Sequence, residues 1–453
     1  MKTIETKNPY TGKVLNTYTV HTQEDIDSKL ERVKSLENTW ADLPLDQRCD
    51  LLSKVADLLL ERKQEYAELM TSEMGKPISQ SVSEIEKCAW VCDFYALNAE
   101  DLLADEIIAT DAEESFISHD PMGCILAIMP WNYPFWQVIR FAAPTLTAGN
   151  TAILKHAENV TGCAFALEQL FLDAGYPEGC FQSILTGHDE IESLIGHDAI
   201  KAVTLTGSER AGKAIAKIAG GHLKKTVLEL GGNNACIVWE DADLDKHMDT
   251  MVKARMQNTG QSCIAAKRFI VCEGIYDSFL KQFLKKVEAL KTGDPMKKDT
   301  YIGVMAKADL ADDLQKQVDE SIQKGAKVIL GNKRNGVHFA PTVLTNVTED
   351  MPVFKEETFG PVAAIVKVKN RTEAIALAAN SKYGLGSMLF TRDIDEATHT
   401  ISSIPDGAFF INEMVKSDPR LPFGGTKASG YGRELSREGI LEFVNKKTVY
   451  IKK

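Results

Sequence analysis

The sequence predicts an α/β protein with two α/β domains. Short apolar strands alternate with helices from about residue 122 to residue 230, and a second stretch of the same kind follows Gly231 and Gly232. This alternation is typical of parallel sheets that carry helices on both faces. The chain of 453 residues is also longer than one hydrophobic core usually supports. We therefore expect a domain boundary near residue 231.

The first hundred residues are predicted to be helical. Apolar residues recur at helical spacing over 25–40, 46–70 and 81–104, and prolines or glycines separate these segments. Extended sequence follows at 115–118 and 123–129.

The alternating stretches supply the remaining elements. In the first stretch we predict strands Thr151–Lys155, Ala202–Thr206 and Thr226–Leu230, with helices Thr161–Ala174 and Glu209–Ala219 between them. In the second stretch we predict strands at 235–239, 268–272, 326–330, 361–366 and 407–412. A last candidate strand, 447–452, has no later segment to pair with, and such a strand needs cover from another chain.

Composition excludes several classes of protein. A net charge of −12 argues against binding to nucleic acid or to an anionic membrane surface. The nine cysteines lack metal-ligand spacing, so we expect reduced thiols, a cytoplasmic protein and no metal site. The N-terminus lacks a signal-peptide pattern, and no apolar stretch has the length of a membrane span.

Cys263 and Glu229 are the candidate catalytic pair. Each lies in a polar, glycine-rich segment rather than in an apolar stripe. A carboxylate held near a thiol can ionise it, or activate the water that releases what the thiol has captured. The alternative for each residue alone is structural, as a packing cysteine and a strand-end glutamate.

Two strand ends are candidate cofactor sites, although no GxGxxG fingerprint follows an early strand. Gly207 and Ser208 lie between a strand and a helix, where backbone N–H groups suit a phosphate, although a plain turn explains them equally well. Lys155 and Glu158 leave another strand end and are either ligand contacts or two solvated charges.

Arg140 lies in an apolar segment and is either a paired structural cation or a receptor for an anion.

Seven motifs, in order, resemble those of the NAD(P)-dependent aldehyde dehydrogenase superfamily, and the resemblance covers essentially the whole chain. They are Pro130–Pro134, Lys155–Glu158, Thr206–Ser208, Glu229–Asn233, Gly260–Cys263, Glu356–Pro361 and Pro422–Gly425. Within that superfamily, the local motifs of the sequence are most similar to those of the shorter bacterial succinate-semialdehyde dehydrogenases.

The resemblance implies an aldehyde dehydrogenase-like fold of two Rossmann-like domains with a β oligomerisation arm. The NAD-binding domain would comprise 1–104 and 122–230, and the catalytic domain 231–430. Segments 105–121 and 431–453 would join neighbouring subunits in a homodimer or homotetramer.

The resemblance also implies a mechanism. Cys263 would attack the aldehyde, while Asn132 and the N–H of Cys263 stabilise the oxyanion. Hydride would leave to the cofactor, and Glu229 would activate water to hydrolyse the thioester. A remote alternative is a non-catalytic structural protein on the same fold.

For the cofactor, the resemblance implies that Lys155 and Glu158 bind the adenosine ribose. Because the Glu158 carboxylate would repel a 2′-phosphate, we expect NAD to be preferred, with NADP disfavoured but possible. The other implied contacts are Trp131, Gly207, Ser208, Leu230, Glu357 and Phe359.

For the substrate, the resemblance implies a small aldehyde with a carboxylate end, bound by Arg140 and Ser417. Some relatives carry a second arginine at the position of Gln257, so one anion contact is a neutral amide here. Succinate semialdehyde is the expected substrate, and glutarate semialdehyde and general aliphatic aldehydes are the alternatives.

Overall fold

The computed structural model describes residues 2–453. Helices cover both faces of the two large sheets. In chain order they are α1 Gln23–Ala41, α2 Leu45–Glu61, α3 Lys63–Met74, α4 Ile78–Leu103, α5 Trp136–Thr147, α6 Thr161–Asp173, α7 Ile191–Gly196, α8 Glu209–Gly221, α9 Leu244–Met256, α10 Tyr276–Glu288, α11 Ala308–Gln323, α12 Pro352–Lys355, α13 Arg371–Ala379, α14 Ile394–His399 and α15 Ser436–Leu441.

The strands range from two-residue pairs to the eight-residue strands of the arm. In chain order they are β1 Thr3–Lys7, β2 Val14–Thr19, β3 Glu106–Ile107, β4 Glu114–Pro121, β5 Cys124–Met129, β6 Thr151–His156, β7 Phe181–Ser183, β8 Ile200–Thr206, β9 Lys225–Glu229, β10 Asn234–Val238, β11 Ala266–Cys272, β12 Lys327–Leu330, β13 Arg334–Asn335, β14 His338–Phe339, β15 Thr342–Thr345, β16 Val362–Val368, β17 Tyr383–Gly384, β18 Ser387–Phe390, β19 Phe409–Ile411, β20 Thr426–Lys427, β21 Gly430–Tyr431 and β22 Val444–Ile451.

The first large sheet has six strands in the order β21-β9-β8-β5-β6-β7. Strands β5 to β9 run parallel, with Thr206 opposite Glu229 and Lys155 opposite Ile128. Because the carboxyl ends of parallel strands share one edge, the turns after β6, β8 and β9 lie on the same side of the sheet. The two-residue strand β21 adds antiparallel to β9 and comes from the far end of the chain.

The second large sheet has seven strands in the order β12-β15-β16-β11-β10-β18-β19, all parallel except β12. The chain passes from the first sheet to the second between β9 and β10, through Gly231 and Gly232. The interiors of both sheets are apolar, as expected for strands covered on both faces.

The arm is a three-stranded sheet in the order β22-β4-β3. The last strand pairs antiparallel with β4 along its whole length, from Val444 opposite Pro121 to Ile451 opposite Glu114. The expectation that this strand lacks a partner in its own chain is therefore wrong, because a segment more than 300 residues earlier supplies one. The other edge of β22 has no neighbouring strand among residues 2–453.

The helical prediction for 46–70 is also inaccurate, since two helices, α2 and α3, lie there and meet at Arg62. Gly75 ends α3 in the left-handed conformation, with φ of 79°, as its position before Lys76-Pro77 predicts. Across residues 2–453, no helix combines the length and the apolar character that a bilayer crossing requires.

Candidate active site

Cys263 lies in a tightly wound loop between α9 and β11. Asn258 and Thr259 adopt left-handed φ values of 55° and 54°, and Gly260 follows at 71°. A Cβ on Gly260 would lie 2.2 Å from the carbonyl oxygen of Gly360, so the loop packs directly against that backbone. The side chain of Gln261 accepts from the N–H of Ala306 at 2.9 Å. The nucleophile candidate therefore stands on a rigid support.

The Cys263 thiol is half-buried and borders a cavity. Burial raises the pKa of the Cys263 thiol to about 11, and the nearby Arg140 cation opposes that rise. Asn234 Nδ2 holds the Cys263 carbonyl at 2.7 Å, while the N–H of Cys263 has no acceptor among residues 2–453. That N–H remains available to an oxyanion.

Glu229 is the last residue of β9 and is only 2% exposed. Burial, followed by the neighbouring Glu434 carboxylate, raises the pKa of Glu229 well above its ordinary value. Its Oε1 has no hydrogen-bond partner among residues 2–453. The charge of Glu229 also affects the Cys263 thiol, so the two predicted catalytic groups are neighbours. A buried carboxyl with a raised pKa is a suitable general base.

Asn132 lies after β5, and its Nδ2 donates to the carbonyl of Gln261 at 3.2 Å. In return, Asn258 Nδ2 donates to the carbonyl of Asn132 at 2.8 Å. The structure thus brings the Asn132 segment against the nucleophile loop. The amide nitrogen carries two N–H donors and the carbonyl of Gln261 accepts from one of them, which leaves a second donor for an oxyanion on the substrate.

The Asn132 segment is anchored from below by a buried carboxylate. Glu84 Oε1 accepts from the N–H groups of Phe135 and Trp136 at 3.0 and 2.9 Å, which is where α5 begins. The other oxygen of Glu84 forms a buried ion pair with Lys76. Sequence analysis missed both residues, since a charged pair eight residues apart in a helical region normally indicates surface.

The cavity beside Cys263 has a volume of about 310 Å³, which suits a small ligand. All three predicted substrate contacts border it. Its lining includes Tyr133, Trp136, Arg140, Gln257, Cys263, Ser417 and Phe423.

Arg140 is only 2% exposed and forms an ion pair with Glu434, with Nη2 and Oε2 2.5 Å apart. Its guanidinium also lies 4.6 Å from the centre of the Phe423 ring. Arg140 therefore has an internal carboxylate partner and borders the cavity as well. Sequence analysis missed Glu434, which lies 294 residues away in the chain.

Ser417 is buried and accepts a hydrogen bond of 2.6 Å from Lys87 Nζ. Lys87 belongs to α4 and lies 4.1 Å from the centre of the Trp136 ring. Sequence analysis missed Lys87 too. The only signal was a lysine next to Cys88, on a helix that buries positions 84, 85, 88, 91 and 92.

The start of α8 supplies the predicted phosphate site. Gly207 donates its N–H to the carbonyl of Glu229 at 2.9 Å, and the Ser208 hydroxyl caps the helix by accepting from Ala211 N–H at 3.2 Å. Leu230 packs so closely against Gly212 that a Cβ there would lie 2.5 Å from its side chain. The first turn of α8 therefore lies directly beside the segment that carries Glu229.

Lys155 ends β6 with a buried side chain, and burial lowers its pKa while Glu158 opposes that change. The ammonium has no hydrogen-bond or ion-pair partner in the described chain. Glu158 lies exposed on the short 3₁₀ turn that follows. The turn therefore presents a buried cation and a solvated carboxylate.

The predicted nicotinamide contacts also lie together. Glu357 Oε1 accepts from Lys267 Nζ at 2.8 Å and from the N–H of Gly232 at 3.1 Å. Phe359 makes an edge contact with Trp131, with ring centres 5.7 Å apart. This cluster lies between the β9 strand end and the loop beneath Cys263.

The arrangement matches a known family. A model of the Aldehyde dehydrogenase family matches residues 1–449. The chain belongs to that family.

Similar proteins of known name are related over nearly their full length. A probable succinate-semialdehyde dehydrogenase [NADP(+)] of Synechocystis sp. is 50% identical over 451 residues, covering 99% of both chains. Succinate-semialdehyde dehydrogenase [NADP(+)] 1 of Mycobacterium tuberculosis is 44% identical over 454 residues, again with 99% coverage of both. The crystal structure of a Streptococcus pyogenes succinic semialdehyde dehydrogenase in complex with NADP+ matches with a TM-score of 0.97 at 37% identity, covering 99% of this chain and 100% of that one. The predicted family and α/β fold class are confirmed.

The expectation that NAD is the preferred cofactor is contradicted. The named relatives are NADP(+) enzymes, and the streptococcal structure contains NADP+. The physical reason lies in the exposure of Glu158: no partner in the described chain holds its carboxylate toward the ribose site, so the side chain can turn into solvent. A charge that is free to move away is a weak barrier to a 2′-phosphate.

Proposed function

We propose that this protein oxidises succinate semialdehyde to succinate with NADP+. Succinate-semialdehyde dehydrogenases at 44–50% identity over the full length support this reaction and this cofactor. The observation that carries the proposal is the setting of Cys263. The thiol opens on a cavity whose wall also contains Arg140 and Lys87, two cations that suit an aldehyde with a carboxylate at its other end.

In the first step, Cys263 attacks the aldehyde carbon and becomes a thiohemiacetal. Since the pKa of the thiol is raised to about 11, the thiol needs a base. Glu229 is that base, because burial raises its proton affinity and its Oε1 has no internal donor. The proton of the thiol passes to the Glu229 carboxylate, directly or through one water.

The negative charge then forms on the former carbonyl oxygen. The N–H of Cys263, which has no acceptor among residues 2–453, donates to that oxygen. Asn132 Nδ2 donates as well, through the N–H that does not bond to the carbonyl of Gln261.

The residues at the strand ends fit a dinucleotide. Among residues 2–453, the ammonium of Lys155 has no ion-pair partner and the buried hydroxyl of Thr206 has no hydrogen-bond partner, and the start of α8 presents free N–H groups. Phe359, Trp131 and Glu357 then lie toward the nicotinamide end. When bound, the nicotinamide supplies the acceptor for the hydride that the adduct loses.

In the last step, a thioester on Cys263 is hydrolysed, after Glu229 has released to solvent the proton that it took from the thiol. Glu229 removes a proton from water, the hydroxide adds to the thioester carbon, and the thiolate of Cys263 leaves with its electron pair. The products are succinate and the regenerated cysteine.

The test is a comparison of kcat/KM for succinate semialdehyde, glutarate semialdehyde and butanal, each with NADP+ and with NAD+. We expect succinate semialdehyde with NADP+ to be the best pair, and Cys263→Ala to be inactive with every pair while it still binds NADP+. A higher kcat/KM for butanal would contradict the substrate, and activity of Cys263→Ala would contradict the mechanism.

A further inference from the structure

The cavity beside Cys263 contains a cation that the reaction steps above do not use. Lys87 reaches it from α4, and its Nζ donates to Ser417 Oγ at 2.6 Å. The same ammonium lies 4.1 Å from the centre of the Trp136 ring. A hydroxyl and an aromatic face orient an ammonium, but neither neutralises it.

Three other cations near the active site have carboxylate partners. Arg140 pairs with Glu434, Lys76 with Glu84, and Lys267 with Glu357. For Lys87, no carboxylate oxygen of residues 2–453 lies within 4.0 Å of Nζ. A desolvated charge without a counter-ion is costly, so the position is favourable only if something anionic completes it.

An ammonium has three N–H donors, and Ser417 occupies one of them. The remaining donors lie at the edge of the cavity that Cys263 also borders. An anionic group on the substrate would enter a space that already has an oriented cation, a fixed hydroxyl and a second cation in Arg140.

We propose that Lys87 is a specificity-determining residue that binds the carboxylate of the substrate, with Ser417 holding its ammonium in place. This inference rests on the proposed function for the identity of the aldehyde. It also accounts for the neutral Gln257 in the same cavity lining, because the cation that some relatives carry there is supplied here from α4.

The charge state of Lys87 supports the proposal. Burial, and then repulsion from Arg140, lower the pKa of Lys87 to about 8, so it is a cation at neutral pH and loses its proton in mildly alkaline solution. Several other groups face it: Glu84 and Cys88 on its own helix, Arg140 on α5, Asp418 beside Ser417, and Lys253, Glu413 and Lys416 at the cavity rim. The Cys263 thiol titrates higher, with a pKa of about 11, so its effect on a pH profile can be separated.

The experiment compares wild type, Lys87→Met and Lys87→Arg. Methionine keeps the length and the packing on Trp136 without the charge, and arginine restores the charge. We expect Lys87→Met to raise KM for succinate semialdehyde tenfold or more with a smaller change in kcat, and to lower the ratio of kcat/KM for succinate semialdehyde over butanal by the same factor. Lys87→Arg should recover most of that ratio. The KM of wild type for succinate semialdehyde should also rise above about pH 8, while that of Lys87→Met should not.

The matched control is Lys286→Met, the same substitution at an exposed lysine on α10 that lies outside the cavity lining and whose charge already pairs with Asp249 at 2.7 Å. In this control variant, the ratio of kcat/KM for succinate semialdehyde over butanal should stay within about twofold of the wild-type ratio. Equal losses on both aldehydes in Lys87→Met, or equal effects of Lys87→Met and Lys286→Met, would overturn the receptor role.

Inhibition by succinate, measured against butanal oxidation, separates this proposal from the proposed function. If wild type does not favour succinate semialdehyde, the proposed substrate is wrong, yet competitive inhibition that weakens tenfold in Lys87→Met would still establish a carboxylate receptor. If wild type favours succinate semialdehyde and succinate inhibits Lys87→Met as strongly as wild type, the function stands and the receptor does not.

Discussion

At the scale of single residues, the active site depends on buried groups whose pKa values are raised by burial. Glu229 combines nearly complete burial with an oxygen that has no internal donor. A buried carboxyl oxygen without a donor lowers the stability of the fold, and groups of this kind cluster at functional sites. Burial likewise raises the pKa of the Cys263 thiol, to about 11.

Replacing Glu229 by Gln should separate the two halves of the reaction. We expect a burst of reduced cofactor followed by a slow steady state, because hydrolysis of the thioester loses its base. Rapid mixing with succinate semialdehyde measures both phases. If the burst falls in step with the steady rate, Glu229 acts chiefly on the thiol.

The pH profile of the wild-type steady state provides a second measurement. Hydrolysis needs the ionised carboxylate, and burial raises the pKa of Glu229. The rate should therefore fall as the pH falls through the pKa of Glu229, which lies above the pKa of an ordinary glutamate. The variant Glu229→Gln should lack this decrease at acidic pH. A decrease that persists in the variant would assign it to another group.

Substitution of Glu158 by Ser should increase kcat/KM for NADP+. The exposed carboxylate is free to move, but it still lies near Lys155 and carries the same sign as a 2′-phosphate. We expect a several-fold gain at low ionic strength that shrinks as salt is added, since salt screens exposed charges. Initial rates across a salt series measure it, and an unchanged kcat/KM at every salt concentration would show that Glu158 lies outside the phosphate site.

At the scale of elements, a buried ion pair positions the start of α5. Removal of Glu84 would leave Lys76 buried without its partner and two N–H groups without an acceptor. We expect Glu84→Ala to cost about 3 to 5 kcal/mol of the free energy of unfolding, the usual result of breaking a buried pair. Denaturant unfolding measures that cost. Glu86→Ala, which removes the exposed partner of Lys63 on the same helix, should cost less than about 1 kcal/mol.

Sequence reasoning worked where local pattern determines the structure. The parallel strands and their helices are predicted because both faces of each strand are buried, which gives short apolar runs such as Thr151–Leu154 and Ala202–Leu205. It failed where distant segments meet. The pairing of β22 with β4, and of Arg140 with Glu434, joins residues hundreds of positions apart, and nothing local in the sequence records either contact.

The catalytic candidates were accessible to sequence analysis because each lies in a motif, whereas Lys87 is an isolated lysine on a mostly buried helix. The prediction that NAD is the preferred cofactor failed for a different reason. A carboxylate in the right turn predicts repulsion, but its effect depends on whether the side chain is fixed, and only the structure shows that Glu158 is exposed.

At the scale of the whole molecule, the arm presents an open strand edge with which another chain could pair. The eight-residue strand β22 has β4 on one side and an open edge on the other, with Tyr450 and Ile451 exposed. We propose that the protein is a homodimer or homotetramer and that this edge contributes to assembly.

Removal of residues 444–453 should therefore reduce the solution mass. We expect smaller species by light scattering, together with a lower Tm, because β4 loses its neighbour as well. Lys452→Ala combined with Lys453→Ala, which removes two charges and leaves the strand intact, is the control. An unchanged mass after truncation would place the interface elsewhere.

One backbone contact described above couples the two halves of the chemistry mechanically. Gly207 donates its N–H to the carbonyl of Glu229, so one hydrogen bond joins the proposed phosphate-binding turn to the proposed base. Exchange of that amide with deuterium requires the bond to open, and opening releases the residue that activates water. The rate of amide exchange at Gly207 therefore reports how often the hydrogen bond to Glu229 opens. This exchange rate can be measured in inactive variants and without substrate, where enzyme kinetics cannot be measured.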